Sequence, residues 1–181
     1  GQTWWDACAG DGGKTLHLAA LMGNRGRISA VEPGRSRFFR LQRNLEAGGV
    51  TCAQLYQRDG VGVGRTCPEW FDRVLLDAPC SAEGRMRGDD PETFRFWSPR
   101  RIKEMSRLQR RLLLSGLRSV KVGGVLVYST CTFAPEENEM IINRALGRHG
   151  HAVAVEAVDL PLANAVAGLT APFSLKMGKV E

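Results

Sequence analysis

The sequence predicts an α/β domain wound on both faces of a mostly parallel sheet, and three observations carry that prediction. Short β-type apolar runs alternate with segments of helical periodicity through most of the 181 residues. Glycines punctuate the junctions, in the turn around Gly10, Gly12 and Gly13 and at the pairs Gly48-Gly49 and Gly123-Gly124. Two cysteines, Cys80 and Cys131, each follow a strand-like run at the start of a loop. In an open α/β sheet ligands bind in the crevice beyond the carboxyl ends of the strands, so both thiols are expected to face one crevice.

Thr3 to Ala7 reads as the first strand, followed by a Gly-rich turn and a helix from about Gly13 to Met22. Arg27 to Val31 is a second strand ending at Glu32, and Arg35 to Ala47 is a helix with Phe38, Leu41 and Leu45 on one face. Gly48-Gly49 stops it. Thr51 to Tyr56 is a third strand, and Phe71 to Leu76 a fourth, apolar enough for burial on both faces. A long loop leads to a helix from about Pro99 to Val120, with Ile102, Met105, Leu108, Leu112 and Val120 along one stripe and Gly123-Gly124 as its stop. Val125 to Tyr128 is a fifth strand. Pro135 is expected to open another helix whose first turn carries Glu136 and Glu137, as the helix dipole favours. Ala152 to Val158 and Phe173 to Met177 are expected as two closing strands.

Length fits a single domain over residues 1–181, able to bury a core without disulfides or a structural metal. The chain starts almost on its first strand and stops soon after its last, which suggests the core of a longer protein. Five cysteines without a CxxC pair argue against a disulfide framework and a zinc ribbon, and no bound metal is expected. No run approaches the roughly 18 apolar residues of a membrane span, and no signal pattern opens the chain. A soluble cytoplasmic protein acting as a monomer is expected.

The formal charge is +6, and its distribution is uneven. From Arg85 to Arg111 nine Arg or Lys residues face four acids, with Phe94, Phe96 and Trp97 among them. A basic stretch is often only a solvated helix face, but cations interleaved with aromatics suit phosphates and stacked bases.

The turn after the first strand is Asp6-Ala7-Cys8-Ala9-Gly10-Asp11-Gly12-Gly13-Lys14-Thr15. Its glycines let backbone approach a ligand and leave amides at a helix N-terminus. The phosphate-loop pattern needs glycine where Cys8 stands, and the dinucleotide pattern needs a third glycine where Thr15 stands. S-adenosylmethionine, which has no pyrophosphate to cradle and carries a cationic centre, tolerates a looser turn and suits Asp6 and Asp11. Glu32, about twenty residues beyond the turn, can accept from both hydroxyls of a ribose in either cofactor class. Asp59, after the third strand, reaches toward the adenine end, unless it is simply a loop acid.

The turn, the run Leu76-Asp77-Ala78-Pro79-Cys80-Ser81-Ala82-Glu83-Gly84, and the run Tyr128-Ser129-Thr130-Cys131-Thr132 with Glu136-Glu137-Asn138-Glu139 beyond it resemble, in order, the motifs of the Nol/Nop/Sun family of RNA cytosine-5 methyltransferases. The bacterial 16S ribosomal RNA enzymes of the Sun type are the most similar. The resemblance covers about residues 4 to 142 and implies the Rossmann-like, S-adenosylmethionine-dependent form of the fold. It implies Cys131 as the nucleophile that adds to cytosine carbon 6 and Cys80 as the thiol that helps release methylated RNA. Carbon 5 of cytosine is a poor nucleophile until a thiolate adds beside it, and afterwards a proton must leave and the thiolate be expelled.

By the same resemblance Asp77 lies between cofactor and base, and Lys14 near the same pocket, though either could form a structural ion pair. Ala9, Gly10, Asp11, Gly12, Gly13, Lys14, Glu32, Arg37, Asp59 and Asp77 are the implied cofactor contacts. Pro79, and Arg85, Arg87, Arg95 and Trp97 of the basic segment, are the candidate contacts to RNA, either ribosomal or transfer RNA, and that segment is the candidate wall for the strand. The family usually has proline at the position of Asp11, so a looser turn and an extra charge beside the methionine moiety are expected. Family members also carry an N-terminal RNA-binding region before the first motif, so this chain alone is expected to bind RNA weakly. Two other readings stay open: a DNA cytosine-5 methyltransferase with Cys80 of the Pro-Cys motif as nucleophile, and a non-catalytic RNA-binding module on the same fold.

Overall fold

The computed structural model describes residues 1–156 and the strand Leu175–Gly178. In chain order the elements are β1 Thr3–Asp6, α1 Gly13–Leu21, β2 Arg27–Val31, α2 Arg35–Ala47, β3 Ala53–Tyr56, the single turn α3 Val63–Thr66, β4 Phe71–Asp77, α4 Pro99–Ser119, β5 Val120–Ser129, α5 Glu139–His149, β6 Ala154–Glu156 and β7 Leu175–Gly178. The sheet order is β3-β2-β1-β4-β5-β7-β6. Pairings from β3 to β5 are parallel, and β7 lies antiparallel between β5 and β6. The doubly wound expectation holds. Residues 157–158 and 173–174 of the two closing strands fall outside the described residues.

Alternation along the strands builds a core on each face. Ala30 joins Leu41 and Leu45 of α2, whereas its neighbour Val31 points the other way, into a larger cluster. That cluster unites Trp5, Val74, Leu76 and Leu126 of the strands with Leu112, Leu113 and Leu117 of α4 and Ile141 and Ile142 of α5. Close approach needs small residues: a Cβ on Gly116 would come within 2.5 Å of Leu126, and one on Gly64 within 2.4 Å of the Ser115 carbonyl. Ser98 caps α4 by accepting from the Arg101 amide at 3.1 Å, and Pro99 takes the first helical position.

Two boundaries differ from expectation. Helix α4 stops at Ser119, and β5 begins at Val120, paired with Phe71 of β4. Gly123-Gly124 therefore does not end the helix; it lies within β5, where the register shifts between Phe71 and Arg73 and Gly123 adopts φ +72°. Helix α5 begins at Glu139 rather than Pro135. Asn138 intervenes: its amide donates to the carbonyls of Thr132 and Ala134 at 3.0 and 3.1 Å, a local bonding pattern that competes with helix.

Parallel register brings Asp6 beside Ala30 and Leu75, and Asp77 beside Ser129. The segments leaving β1, β2, β4 and β5 consequently emerge at one edge of the sheet, where the predicted residues gather.

Candidate active site

One half of this edge is the glycine turn. Gly10 and Gly12 adopt φ +59° and +96°, a region that only glycine enters without strain. A Cβ at Gly10 would meet the Arg37 guanidinium at 2.7 Å, and one at Gly12 would meet Leu41 at 2.8 Å. Ala9 is buried, its amide bonded to the Val31 carbonyl at 2.9 Å. Gly13 has open space where a side chain would be.

Glu32 is 4 % exposed and accepts from the Gly10 amide at 3.1 Å through one oxygen and from the Gly34 amide at 2.8 Å through the other. Rather than an idle acceptor, it is a clamp on the turn, and each oxygen keeps a further lone pair for a hydroxyl. Asp11 is tied to helix α2. Its carboxylate accepts from Arg40 at 3.2 Å and lies 3.7 Å from Arg37, while Asn44 donates to its carbonyl at 2.7 Å. The extra negative charge is answered by arginines of α2, and the turn is stitched to that helix. Asp59 caps the short 3-10 helix Gly60–Gly62, accepting from the Val61 amide at 2.9 Å, which gives it a structural role of its own.

Asp6 is fully buried, and one of its oxygens accepts from the Thr15 hydroxyl at 2.6 Å while the other has no partner. Burial raises its pKa to about 6, against the pull of that hydrogen bond. Cys8 is pushed up much further by burial and by the neighbouring acids Asp6 and Glu32, which marks it as an inert thiol. Bare glycine backbone, spare lone pairs on Glu32 and an unsatisfied acid beneath the turn fit a cofactor that presents a ribose and a positive centre.

The other half holds the cysteines. Their sulfurs lie 3.2 Å apart, and the Cys131 amide points at the Cys80 sulfur at 3.4 Å. The expectation of one shared crevice is met. Cys131 is exposed, whereas Cys80 is half-buried and its thiol is pushed up to about 11 by burial and by the hydrogen bond with Cys131. Lys14 and Asp77, predicted separately, meet at 2.6 Å, and Ser129 donates to the second Asp77 oxygen at 2.9 Å. Their side chains stay 54 % and 35 % exposed, so the pair faces the opening.

A side-chain network that sequence reasoning missed fixes the two cysteine loops to each other. Glu137, expected in the first turn of a helix, is wholly buried; it accepts from the Ser81 amide at 3.0 Å and from the Gln109 amide at 2.7 Å. Gln109 reaches up from α4 and also donates to the Pro79 carbonyl at 2.9 Å. Ser81 and Thr132 hydroxyls meet at 2.8 Å, and Thr132 donates to Glu83 at 2.9 Å. Glu83 further accepts from the Phe133 amide at 3.1 Å and the Trp97 indole at 2.8 Å. Although burial works against it, these bonds hold its carboxyl below the usual range. A polar Gln109 set between Met105 and Leu112 on a buried stripe was the one available sequence signal.

The predicted RNA contacts divide. Arg85 is exposed at the mouth, and Trp97 is 44 % exposed with its indole nitrogen committed to Glu83. Arg87 is held by Asp89 at 2.9 Å, and Arg95 by Glu92 at 2.8 Å while it stacks on Phe96. Pro79 presents its carbonyl inward, to Gln109. Phe96 and Phe133, at 74 % and 76 % exposure, are the larger apolar surfaces there.

Strand order with a single reversed strand, and a turn whose acid partner directly follows β2, give the Rossmann-like fold of the S-adenosylmethionine-dependent methyltransferases. Among the described residues no helix is long and apolar enough to cross a membrane. The model of the family described as 16S rRNA methyltransferase RsmB/F matches residues 1–168, and the chain belongs to that family. It is 42 % identical over 166 residues to the ribosomal RNA small subunit methyltransferase F of Serratia proteamaculans, covering 92 % of this chain and 34 % of that protein. The chain thus spans about a third of the length of the curated relatives it matches. The crystal structure of PH0851 superposes with a TM-score of 0.91 at 34 % identity, over 99 % of this chain and 43 % of that one. NSun6 from Pyrococcus horikoshii with SFG superposes at 0.85 with 28 % identity, over 99 % and 48 %.

Proposed function

We propose that this chain is the catalytic part of a cytoplasmic enzyme that methylates carbon 5 of a cytosine in ribosomal RNA through a covalent cysteine adduct. The observation that carries the reading is the sulfur pair, 3.2 Å apart but unequal in surroundings. Two neighbouring sulfurs suit two neighbouring ring carbons. Cys131, the exposed thiol, is the nucleophile: its thiolate adds to carbon 6, and the electron pair moves toward carbon 5. S-adenosylmethionine, which the Gly10 to Gly13 turn and Glu32 would hold, would supply a sulfonium methyl group for transfer to carbon 5. Carbon 5 then loses its proton, the carbon–sulfur bond to Cys131 breaks, and the aromatic ring is restored.

Cys80 assists that last stage. A thiol held near 11 is protonated at neutral pH and a poor nucleophile; it gives its proton to the departing Cys131 sulfur 3.2 Å away, and the thiolate so formed takes up the proton that carbon 5 releases. Lys14 and Asp77 present a charge pair to the polar edge of the base, where hydrogen bonding draws density from carbon 6. The target cytosine is single-stranded or flipped out at roughly a few kcal/mol, with Phe96, Trp97 and Phe133 offering faces for stacking.

Trapping tests the assignment. With 5-fluorocytosine RNA, Cys131→Ala yields no covalent complex and loses methyl transfer by at least about a thousandfold. Cys80→Ala instead accumulates the complex even on unmodified RNA. The reverse pattern would transfer the nucleophile to Cys80, as in the DNA-type reading.

A further inference from the structure

Part of the positive charge that has no carboxylate beside it, among the described residues, is concentrated on one flank. In the basic segment, Arg87, Arg95 and Arg100 are each neutralised by a carboxylate within 2.9 Å. Farther along, Lys103, Arg107 and Arg110 follow one another at spacings that put them on one face of α4. Across from them α5 presents Arg144 and Arg148, again one turn apart. All five are exposed, and among the described residues none has a carboxylate within ion-pair distance.

Between the two helices run two adjoining hollows of about 410 and 350 Å³, which share Arg110, Ile141 and Arg144. Among the described residues Glu136 is the one acid lining them. The upper hollow begins at Pro99, where the basic loop enters α4, and Glu136 follows Cys131 by five residues. At mid-helix Gln109, next to Arg110, touches the carbonyl of Pro79. The groove thus lies beside the segments that lead to the two cysteine loops.

We propose that the α4–α5 groove is a phosphate track for the RNA strand flanking the target cytosine. The proposal rests on the reading of RNA as substrate and adds a docking surface away from the reacting atoms. Charge complementarity selects the occupant: five unpaired cations against one carboxylate suit a polyanion. Lys103 to Arg110 spans about 10 Å of helix, and at one phosphate neutralised per cation the three side chains on that face meet about three phosphates.

The test is salt-dependent binding of the full-length protein to a small-subunit ribosomal RNA fragment containing the methylated site. R107Q/R110Q/R144Q is compared with R25Q/R27Q/R43Q, which removes the same charge elsewhere on the surface. The groove variant should lose about 2 from the slope of log affinity against log salt, at roughly 0.7 per phosphate, and bind more than tenfold more weakly at low salt. The distal variant should stay near wild type, and R107K/R110K/R144K should restore the slope. Equal slopes for the two glutamine variants, or an acidic protein competing while RNA binding is untouched, would overturn the groove. Salt-insensitive binding by the wild-type protein would overturn the RNA reading with it.

Discussion

The two halves of the crevice are built by different means. The cofactor half is made of backbone: glycine conformations, amides held by Glu32, and contacts that mostly close within the first forty-five residues. The cysteine half is made of side chains, with Ser81, Glu83, Gln109, Thr132 and Glu137 joining segments 28 to 56 residues apart. Backbone sites tolerate changes of side chain but not of φ, whereas side-chain networks fail when one member is removed. The difference also sets what each half can do: the first presents a fixed surface, and the second places two sulfurs that came from separate strands.

The largest expected effect is Glu137→Ala. It strips the Ser81 amide and the Gln109 amide of their shared acceptor, and unfolding should become easier by about 4 kcal/mol at roughly 1–3 per orphaned group. Denaturant midpoints measure that, and calorimetry should find S-adenosylmethionine binding nearly unchanged; a parallel loss of cofactor affinity would erase the distinction between the halves.

Next comes Asp6→Asn, the side-chain exception in the cofactor half. Wild-type Asp6 holds its proton to about pH 6, against 3.8 ordinarily. The native state thus binds more protons than the unfolded chain across that window, and stability falls as pH rises through it, by about 3 kcal/mol in total. The asparagine variant should lack that decline and melt above wild type at pH 7 but not at pH 4. Gly12→Ala should cost about 2 kcal/mol for the left-handed backbone and for displacing Leu41, and should weaken cofactor binding with it. Asp11→Ala should be smallest: its ion pairs are half exposed, so a change of less than about 1 kcal/mol is expected. A large loss there would show that side chains hold the turn after all.

The same contrast explains what was legible in the sequence. Strands and helices around the turn follow from periodicity and glycine, and the helix Arg35–Ala47 could be read residue by residue because its apolar face repeats. The partners of Asp11 were not legible because a loop position does not announce which helix it will meet; Arg40 and Asn44 become its partners only after α2 packs. Glu137 was harder still. Acids at the start of a helix ordinarily serve its dipole, and only the insertion of Asn138 delays the helix and turns Glu137 inward. The basic segment read as a single wall, but pairing with Asp89, Glu92 and Glu104 is a matter of local rotamers that composition does not disclose.

The contact between the sulfurs of Cys80 and Cys131 has a consequence for occupancy. At 3.2 Å no atom larger than hydrogen fits between them, so a group attached to one sulfur takes the space in front of the other. The two thiols form a single seat. An alkylating reagent, a base in covalent complex or any other adduct claims both at once, and chemical labelling of the crevice should saturate at one equivalent although two sulfurs are present.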